Sequence, residues 1–341
     1  MPNFPVVSVE GFPVPSSRRH LPRHRIRWSP RLVAAVVVAC ATAVSAGCSS
    51  AGEARTGDQE TRVVTDAVGE VKVPTAPERV VATDFFSSSV LVDVGVTPVG
   101  VMQGIEEPGS RPQRYLEALA DVTQVSSYAE INVEKVLELE PDLIIVDAKF
   151  PTPETLDRLA KIAPLFHVDL TGSWSERALS VADAVNRRDR AEEQKIAYDA
   201  RAEEISRRYR DLLDTMPVAV VSLNTTNSTW ASYAPGGWPT PAWVDIDAVF
   251  REPTDGEART SSEWAWISDE QLEKLGNAGF IIVLEPQQLA RYENFRIWQS
   301  LPAVRAGNVF TDFDSPATSS FEWGRDNLDQ IERILQQVDR S

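Results

Sequence analysis

The sequence predicts an α/β fold, because strand-like and helix-like segments alternate along most of the chain. Residues 79–170 read as four strands separated by three helices, which is typical of a mostly parallel sheet with helices on its faces. From Asp189 to about Leu213, a highly charged segment without glycine or proline predicts one helix roughly 37 Å long. The alternation restarts at Val218 and predicts a second α/β region. Such a helix either joins two domains or lies on the surface of one, and the pattern alone leaves both open.

Residues 1–47 are predicted to be a signal peptide. A basic stretch ends at Arg31, and the apolar run Leu32–Val44 is too short for a comfortable membrane span but fits a signal-peptide core. The next residues, Ser45–Cys48, resemble a bacterial lipobox, although Ser45 stands where a larger aliphatic residue is usual. We therefore expect cleavage before Cys48 and lipidation of its thiol, with a plain secretory signal as the alternative. Whether export is general or of the twin-arginine type is left open. Residues 48–61 are small, polar and charged, and read as a tether.

Charge and cysteine content exclude several classes of function. The formal net charge is −16, and the predicted signal peptide holds six arginines, so the remaining chain is more acidic still. Such a chain does not bind nucleic acid through a basic surface. Cys40 would be removed with the signal peptide, which leaves Cys48 as the one cysteine and rules out an internal disulfide or a cysteine metal site.

The first region, residues 62–186, begins with an alternating segment that predicts a hairpin turning near Val68 and Gly69. Aliphatic strands and amphipathic helices follow. These predicted elements are the hairpin Val63–Val73, strand Arg79–Thr83, helix Ser87–Val94, strand Pro98–Val101, helix Tyr115–Leu119, helix Thr155–Ala163 and strand Leu165–Val168.

The segment Asn132–Val146 contains a helix, a stop and a buried strand within fifteen residues. Asn132 is a helix cap, and Val133, Val136 and Leu137 have the spacing of one apolar helix face. Pro141 ends the helix, and the aliphatic run from Leu143 to Val146 predicts a strand covered on both faces. The loop after this strand therefore lies at the sheet edge where open α/β sheets bind ligands.

The second half begins with the long helix, assigned to residues 187–214, and continues with an α/β region over residues 215–341. Its predicted elements are the strand Val218–Leu223, helix Pro241–Val249, helix Ser268–Leu275, strand Phe280–Leu284, helix Asn294–Ser300, strand Asn308–Asp312 and helix Asp326–Val338.

Four of these stretches together resemble the substrate-binding lipoproteins of ABC importers for iron–siderophores, haem and vitamin B12. They occur in the order of that family and span most of residues 75–340: Arg79–Val101, Asn132–Val146, Ile267–Leu272 and Leu301–Val309. The resemblance implies two α/β lobes joined by the long helix, with a ligand cleft between them. It also implies a monomeric binding protein rather than an enzyme, anchored by lipid to the outer face of the membrane, which delivers its ligand to a permease and its ATPase.

The resemblance further assigns permease docking to Glu134 on the first lobe and Glu270 on the second. One charge on each lobe would fix the docking register. The residues alone favour a plainer interpretation, in which each glutamate is simply an acid in the first turn of a helix, where the helix dipole stabilises it.

Histidine content argues against bare-metal transport and hydrolysis. His167 is the only histidine outside the predicted signal peptide, whereas transition-metal sites need several imidazoles. No G-x-S-x-G motif, P-loop or G-x-G-x-x-G motif is present. We therefore expect no catalytic residues, no protein-bound metal and no cofactor.

Aromatic residues near predicted strand ends are the best indication of the ligand, because flat rings pack well against large organic chelates. Trp264 is the best placed, since the resemblance puts a cleft tryptophan six residues before Glu270. The predicted ligand contacts are Phe85, Lys149, Trp174, Trp230, Tyr233, Trp264, Trp323 and Arg325. Many aromatic and few basic residues favour a neutral or weakly cationic ligand, such as a ferric hydroxamate siderophore. Cobalamin or haem is the alternative within the family, and an exported enzyme or scaffold lipoprotein is the alternative outside it.

Overall fold

The computed structural model describes residues 60–104, 111–224, 229–252, 258–259, 264–284 and 289–340, all within one compact unit. Its first sheet has five parallel strands in the order β5-β4-β3-β6-β7. The strands are β3 Val80–Ala82, β4 Gly100–Met102, β5 Thr123–Ser126, β6 Leu143–Asp147 and β7 Leu165–Val168. All residues of β3 and the aliphatic ones of β6 are buried, as expected for parallel strands covered on both faces.

An antiparallel hairpin precedes this sheet, and helices follow its strands. The hairpin consists of β1 Thr61–Thr65 and β2 Glu70–Pro74, and the helices are α1 Ser87–Asp93, α2 Gln113–Ala118, α3 Val133–Glu138, α4 Pro153–Leu159 and α5 Trp174–Ala184. Asn132 caps α3 by accepting a 2.9 Å hydrogen bond from the Lys135 amide. These elements form the first lobe.

The second sheet is mixed, with six strands in the order β10-β11-β9-β8-β12-β13. Its strands are β8 Val218–Asn224, β9 Thr229–Tyr233, β10 Ala258–Arg259, β11 Trp264–Ser268, β12 Phe280–Val283 and β13 Val309–Phe310. The helices around it are α8 Pro241–Asp245, the 3₁₀ helices Asp269–Asn277 and Ala290–Tyr292, α9 Arg296–Ser300, α10 Pro302–Arg305 and the C-terminal helix α11 Phe321–Val338. Strands β8, β12 and β13 are parallel, whereas β9 runs antiparallel to both β8 and β11. These elements form the second lobe, and the predicted α/β fold class is confirmed.

The long charged segment lies between the two lobes as α6 Arg188–Arg208, followed after Tyr209 by α7 Arg210–Thr215. Helix α11 packs along α6, and Arg201 and Arg208 of α6 form ion pairs with Glu332 of α11. The largest cluster of buried side chains is continuous from β3 through Tyr198 of α6 to α8 and α11. The lobes are therefore packed onto a shared helix and not merely tethered by it.

Several elements differ from the prediction, and strands β9, β10 and β11 were not predicted. Strand β5 and helix α5 were not predicted, because β5 carries exposed polar residues and α5 mixes small, polar and apolar residues. Trp230, Tyr233 and Trp264 were expected in strand-end loops but lie within β9 and β11. Trp174 and Trp323 were expected in such loops too, but they lie in helix α5 and in the C-terminal helix α11. Bulky aromatic residues favour strands, and whether such a segment forms a strand depends on its pairing with distant segments of the chain.

The predicted signal peptide, Cys48 and most of the tether lie outside the described residues. Among the described residues, no helix combines the length and apolarity needed to cross a membrane.

Candidate functional site

Three neighbouring strands of the first sheet are each followed by the same kind of turn. Asp84 after β3, Asp147 at the end of β6 and Asp169 after β7 each use Oδ1 to accept a hydrogen bond from the backbone N–H two residues further on. The three distances lie between 2.6 and 2.9 Å: 2.8 Å for Asp84, 2.6 Å for Asp147 and 2.9 Å for Asp169. Such aspartate turns redirect the chain at a strand end.

We call the surface formed by residues 84–86, 147–150 and 169–171 the aspartate edge. Because β3, β6 and β7 are adjacent and parallel, the turns lie side by side at the carboxyl ends of the strands. This is where α/β sheets bind ligands. The turns present the predicted contacts Phe85 and Lys149 on one surface.

Two arginines lie under the aromatic rings of this edge. The Arg111 guanidinium carbon lies 4.5 Å from the centre of the Phe85 ring, and that of Arg177 lies 4.6 Å from the Phe86 ring. Both arginine side chains are almost fully buried. A planar guanidinium packs well against an aromatic face, so each of the two rings makes a cation–π contact with a buried arginine.

The charges on the aspartate edge are closely balanced. Lys149 Nζ lies 2.6 Å from the Thr171 hydroxyl and 3.1 Å from Asp169 Oδ1. Hydrogen bonds from Thr171 and Lys149 lower the pKa of Asp169 to about 2, so it is ionised at neutral pH. Burial lowers the pKa of Arg177, and Asp84, Asp169 and Asp147 oppose that shift. Carboxylates thus accompany the bases on this surface.

Trp323 and Arg325 both belong to the first turns of α11, but Trp323 is buried and Arg325 is exposed. Trp323 is fully buried, packs at a tilt against Tyr115 with ring centres 5.5 Å apart, and donates its indole N–H to the Ser315 carbonyl at 2.8 Å. Its ring lies 6.4 Å from Phe85, so it packs behind a predicted contact and has no free surface of its own. Arg325 is exposed and pairs with Glu322 of the same helix at 3.2 Å.

Trp230 also lies in the core instead of on a cleft surface. It is fully buried, stacks 5.2 Å from Trp298 and packs edge-on against Tyr292 at 4.7 Å. Its indole N–H donates to Asp269 at 3.1 Å. These contacts occupy both the ring and its polar group, which corrects its expected position in a loop.

Trp174 connects the two lobes through α6. Its indole N–H donates to Asp245 of α8 at 3.3 Å, and its ring packs edge-on against Tyr198 of α6 at 5.1 Å. It lines a groove of about 470 Å³ along α6. Trp174 therefore has partly exposed surface, but its contacts lie on the joining helix.

Tyr233 and Trp264 are paired on neighbouring antiparallel strands, with ring centres 6.4 Å apart. Both are partly buried. The indole nitrogen of Trp264 is buried and has no hydrogen-bond partner within the described part of the chain. Among the predicted contacts on the second lobe, Tyr233 and Trp264 thus form an aromatic pair that keeps part of its surface exposed.

The two predicted docking glutamates are both exposed, each in the first turn of a helix. Glu134 pairs with Arg158 of α4 at 2.5 Å. Its own backbone amide and Arg158 lower the pKa of Glu134. Glu270 is the second residue of the 3₁₀ helix after β11, so each lobe carries one of the two predicted docking carboxylates on its surface.

Sequence reasoning missed Arg111 and Tyr128 as candidate contacts. No local motif marks Arg111, whose importance depends on packing against Phe85. Tyr128 lies half-exposed in the loop after β5. It precedes Glu134 by six residues, the same spacing that separates Trp264 from Glu270, and this repeat is readable in the sequence.

A search of the described residues finds no group of three or more histidine, cysteine, aspartate or glutamate side chains placed to hold a metal ion. The side chains on the aspartate edge are instead suited to a larger organic ligand, with rings for packing and a few polar groups for orientation.

Comparison with known proteins gives concordant matches. The family model described as periplasmic binding protein matches residues 80–315. The Bacillus subtilis Fe(3+)-citrate-binding protein YfmC is 25% identical over 328 residues, covering 91% of this chain and 98% of the relative. The B. subtilis iron(3+)-hydroxamate-binding protein YxeB is 29% identical over 290 residues, covering 82% of this chain and 86% of that relative.

Among solved structures, a siderophore periplasmic binding protein from the fuscachelin gene cluster of Thermobifida fusca is 28% identical. The match covers 78% of this chain and 98% of that protein, with a TM-score of 0.65.

Proposed function

Because this chain belongs to the periplasmic binding protein family, we propose that it is the substrate-binding component of an ABC importer and that its ligand is a ferric siderophore of the hydroxamate type. The protein performs no chemistry on the ligand. The observation that carries the proposal is the aspartate edge, where three adjacent turns present Phe85, Phe86 and Lys149 together.

The balance of charge supports the hydroxamate class. A tri-anionic catecholate chelate is best bound by a cluster of bases without nearby acids. Here the charges of Lys149, Arg111 and Arg177 are accompanied by those of Asp84, Asp147 and Asp169. A neutral or weakly cationic ferric complex needs no net positive surface and gains mainly from ring packing.

Delivery to the membrane follows from the same assignment. Glu134 and Glu270 would dock onto basic residues of the permease. The ATPase of the importer would then drive transport through that permease. Cys48 would carry the lipid that holds the exported protein at the outer face of the membrane, and a monomer is sufficient for this role.

Ligand binding is tested by tryptophan fluorescence of the purified protein. Titration with a ferric trihydroxamate such as ferrioxamine B should give saturable quenching, whereas free ferric ion should not. Phe85→Ala should weaken binding, and Phe295→Ala, a partly buried residue of the second-lobe core, should leave it unchanged. Binding of the free ion alone would contradict the proposal.

Parallel titrations separate the alternatives. Tighter binding of ferric citrate or a ferric catecholate would replace the hydroxamate assignment but keep the siderophore function. Tighter binding of cobalamin or haem would replace both. Hydrolysis of a chromogenic ester or glycoside that is lost in His167→Ala would instead indicate an exported enzyme.

A further inference from the structure

A buried carboxylate joins the first lobe to the C-terminal helix. Asp93, the last residue of α1, accepts hydrogen bonds through Oδ2 from the Tyr115 hydroxyl of α2 at 2.7 Å and from the Ser320 hydroxyl at 2.5 Å. Ser320 is the N-cap of α11, where its hydroxyl oxygen accepts from the Trp323 amide at 3.4 Å. One carboxylate oxygen therefore connects α1, α2 and α11.

The joining helix holds the same residue from another side. The Asp93 backbone carbonyl accepts hydrogen bonds from Arg190 Nε at 2.9 Å and from Gln194 Nε2 at 3.0 Å, both on α6. Asp93 is thus fixed by its backbone to α6 and by its side chain to α11. It therefore lies at the junction of α1 with the joining helix and the C-terminal helix.

The contacts continue to the aspartate edge. Tyr115 packs at a tilt against Trp323, whose ring lies 6.4 Å from Phe85, and the Arg111 guanidinium lies 4.5 Å from Phe85. A change at the Asp93 carboxylate therefore reaches a candidate ligand contact through two intervening rings.

We infer that Asp93 is a proton-sensitive positioning residue, whose protonation state sets how firmly α11 and Trp323 are held against Phe85. The inference stands on the geometry of this joint and does not require a ligand. Only its consequence, a pH-dependent ligand affinity, rests on the proposed function.

The charged surroundings of Asp93 give the direction of the effect. Burial raises its pKa to about 6, whereas the hydrogen bonds from Ser320 and Tyr115 and the charge of Arg114 on α2 oppose the rise. Glu322 on α11 adds to it. Arg114 itself is engaged with Asp326 of α11, and Arg190 approaches from α6. On α5, which packs against α1, the buried arginine Arg177 lies over Phe86, at the opposite end of α1.

The raised pKa determines whether acid favours or disfavours the buried arrangement of Asp93. In any arrangement that hydrates Asp93, its pKa returns towards the ordinary value of 3.8, about 2 units lower. A difference of 2 units corresponds to about a 100-fold change in the equilibrium between the buried and hydrated arrangements. The buried joint is therefore most favoured in acid and loses most of this advantage as the pH rises from about 4 to 6.

The test follows the Trp323 indole N–H resonance between pH 4 and 8 without ligand. In the wild type we expect a titration with a midpoint near pH 6. Asp93→Asn should abolish it. Tyr115→Phe keeps the ring that packs against Trp323 but removes a hydrogen bond to the charged carboxylate, so the midpoint should move to higher pH. Asp121→Asn, an exposed acid just after α2, is the matched control and should change nothing.

A wild-type midpoint near pH 4, or a transition that persists in Asp93→Asn, would overturn the inference. A purely structural role for Tyr115 would lower stability in Tyr115→Phe without moving the midpoint. Because no ligand is present, failure here leaves the proposed function untouched, and failure of the fluorescence titrations leaves this result untouched.

Discussion

The guanidinium of Arg111 lies 4.5 Å from the Phe85 ring centre while its NH2 group donates to the Phe85 carbonyl at 3.0 Å. The NH1 group donates to the hydroxyls of Ser88 and Ser89 at 3.0 and 3.2 Å. One buried side chain therefore fixes both the ring and the backbone of a candidate ligand contact, in a geometry that only a planar guanidinium provides.

Arg111→Lys should therefore destabilise the protein, although it keeps the charge. A lysine amine cannot reach all these acceptors, and leaving buried polar groups unpaired costs about 1–3 kcal/mol in the free energy of unfolding. Urea denaturation measures this loss. Arg305→Lys, at an exposed arginine of α10, should fall within about 0.5 kcal/mol of the wild type. Equal effects of the two substitutions would show that the Arg111 contacts contribute little.

The local signals around Asn132–Val146 were sufficient to predict its structure. A cap, an apolar face, a proline stop and an aliphatic run all act within a few residues, and the structure has α3 and β6 in the predicted places. Of the predicted apolar face, Val133 and Val136 are buried, whereas Leu137 is exposed. The family resemblance was predictable for the same reason, since its four stretches are local patterns, and the family match over residues 80–315 confirms it.

The antiparallel strands β9, β10 and β11 of the second lobe, and the residues that pack beneath the candidate site, could not be predicted in this way. Trp230 is in the core because Trp298 and Tyr292, more than sixty residues further along the chain, pack on it. Arg111 matters because Phe85 lies above it. These relationships depend on non-local packing, which neither residue type nor spacing encodes.

The docking proposal predicts a loss of transport without a loss of binding. In a strain that depends on this importer for iron, the double substitution Glu134→Gln and Glu270→Gln should abolish uptake, because it removes the charge that each lobe would offer to the permease. Both side chains are exposed, so ligand affinity measured by fluorescence should stay within about twofold of the wild type. Arg158→Gln, which frees Glu134 from its ion pair, is the control and should preserve uptake. A large fall in affinity in the double variant would instead place the glutamates at the ligand.

The N-terminal hairpin is held to the first sheet through Asp66 and His167. Asp66 Oδ2 accepts from the His167 backbone N–H at 2.9 Å and lies 2.8 Å from His167 Nδ1. Burial alone would raise the pKa of Asp66, but the hydrogen bonds from His167 and Val68 outweigh it and lower the pKa below 3.8.

Because the folded-state pKa is lowered, Asp66 stabilises the protein above its unfolded pKa and loses that contribution as the pH falls below about 4. Asp66→Asn should lower the free energy of unfolding at pH 7 by about 1–3 kcal/mol, the cost of leaving buried groups unpaired. The gap between variant and wild type should narrow below pH 4, as measured by urea denaturation at each pH. Asp157→Asn, at an exposed position of α4, should show no such gap at any pH.

Gly324 allows the C-terminal helix to approach the joining helix closely. A Cβ at this position would lie 2.6 Å from Cε2 of Tyr198 and 3.2 Å from Cγ2 of Thr318. The tyrosine ring cannot swing away freely, because its hydroxyl donates to Asp245 at 2.6 Å and Trp174 packs against it.

Gly324→Ala should therefore destabilise the protein even though alanine favours a helix by about 1 kcal/mol. Overpacking of a buried contact costs about 1–3 kcal/mol, so we expect a net loss of about 1 kcal/mol and a red-shifted Trp174 emission as its packing loosens. Gly276→Ala is the matched control, since a Cβ there meets no atom within 4 Å. A stability gain in Gly324→Ala would mean that α6 and α11 separate without cost, and that the lobes are joined less rigidly than their shared core indicates.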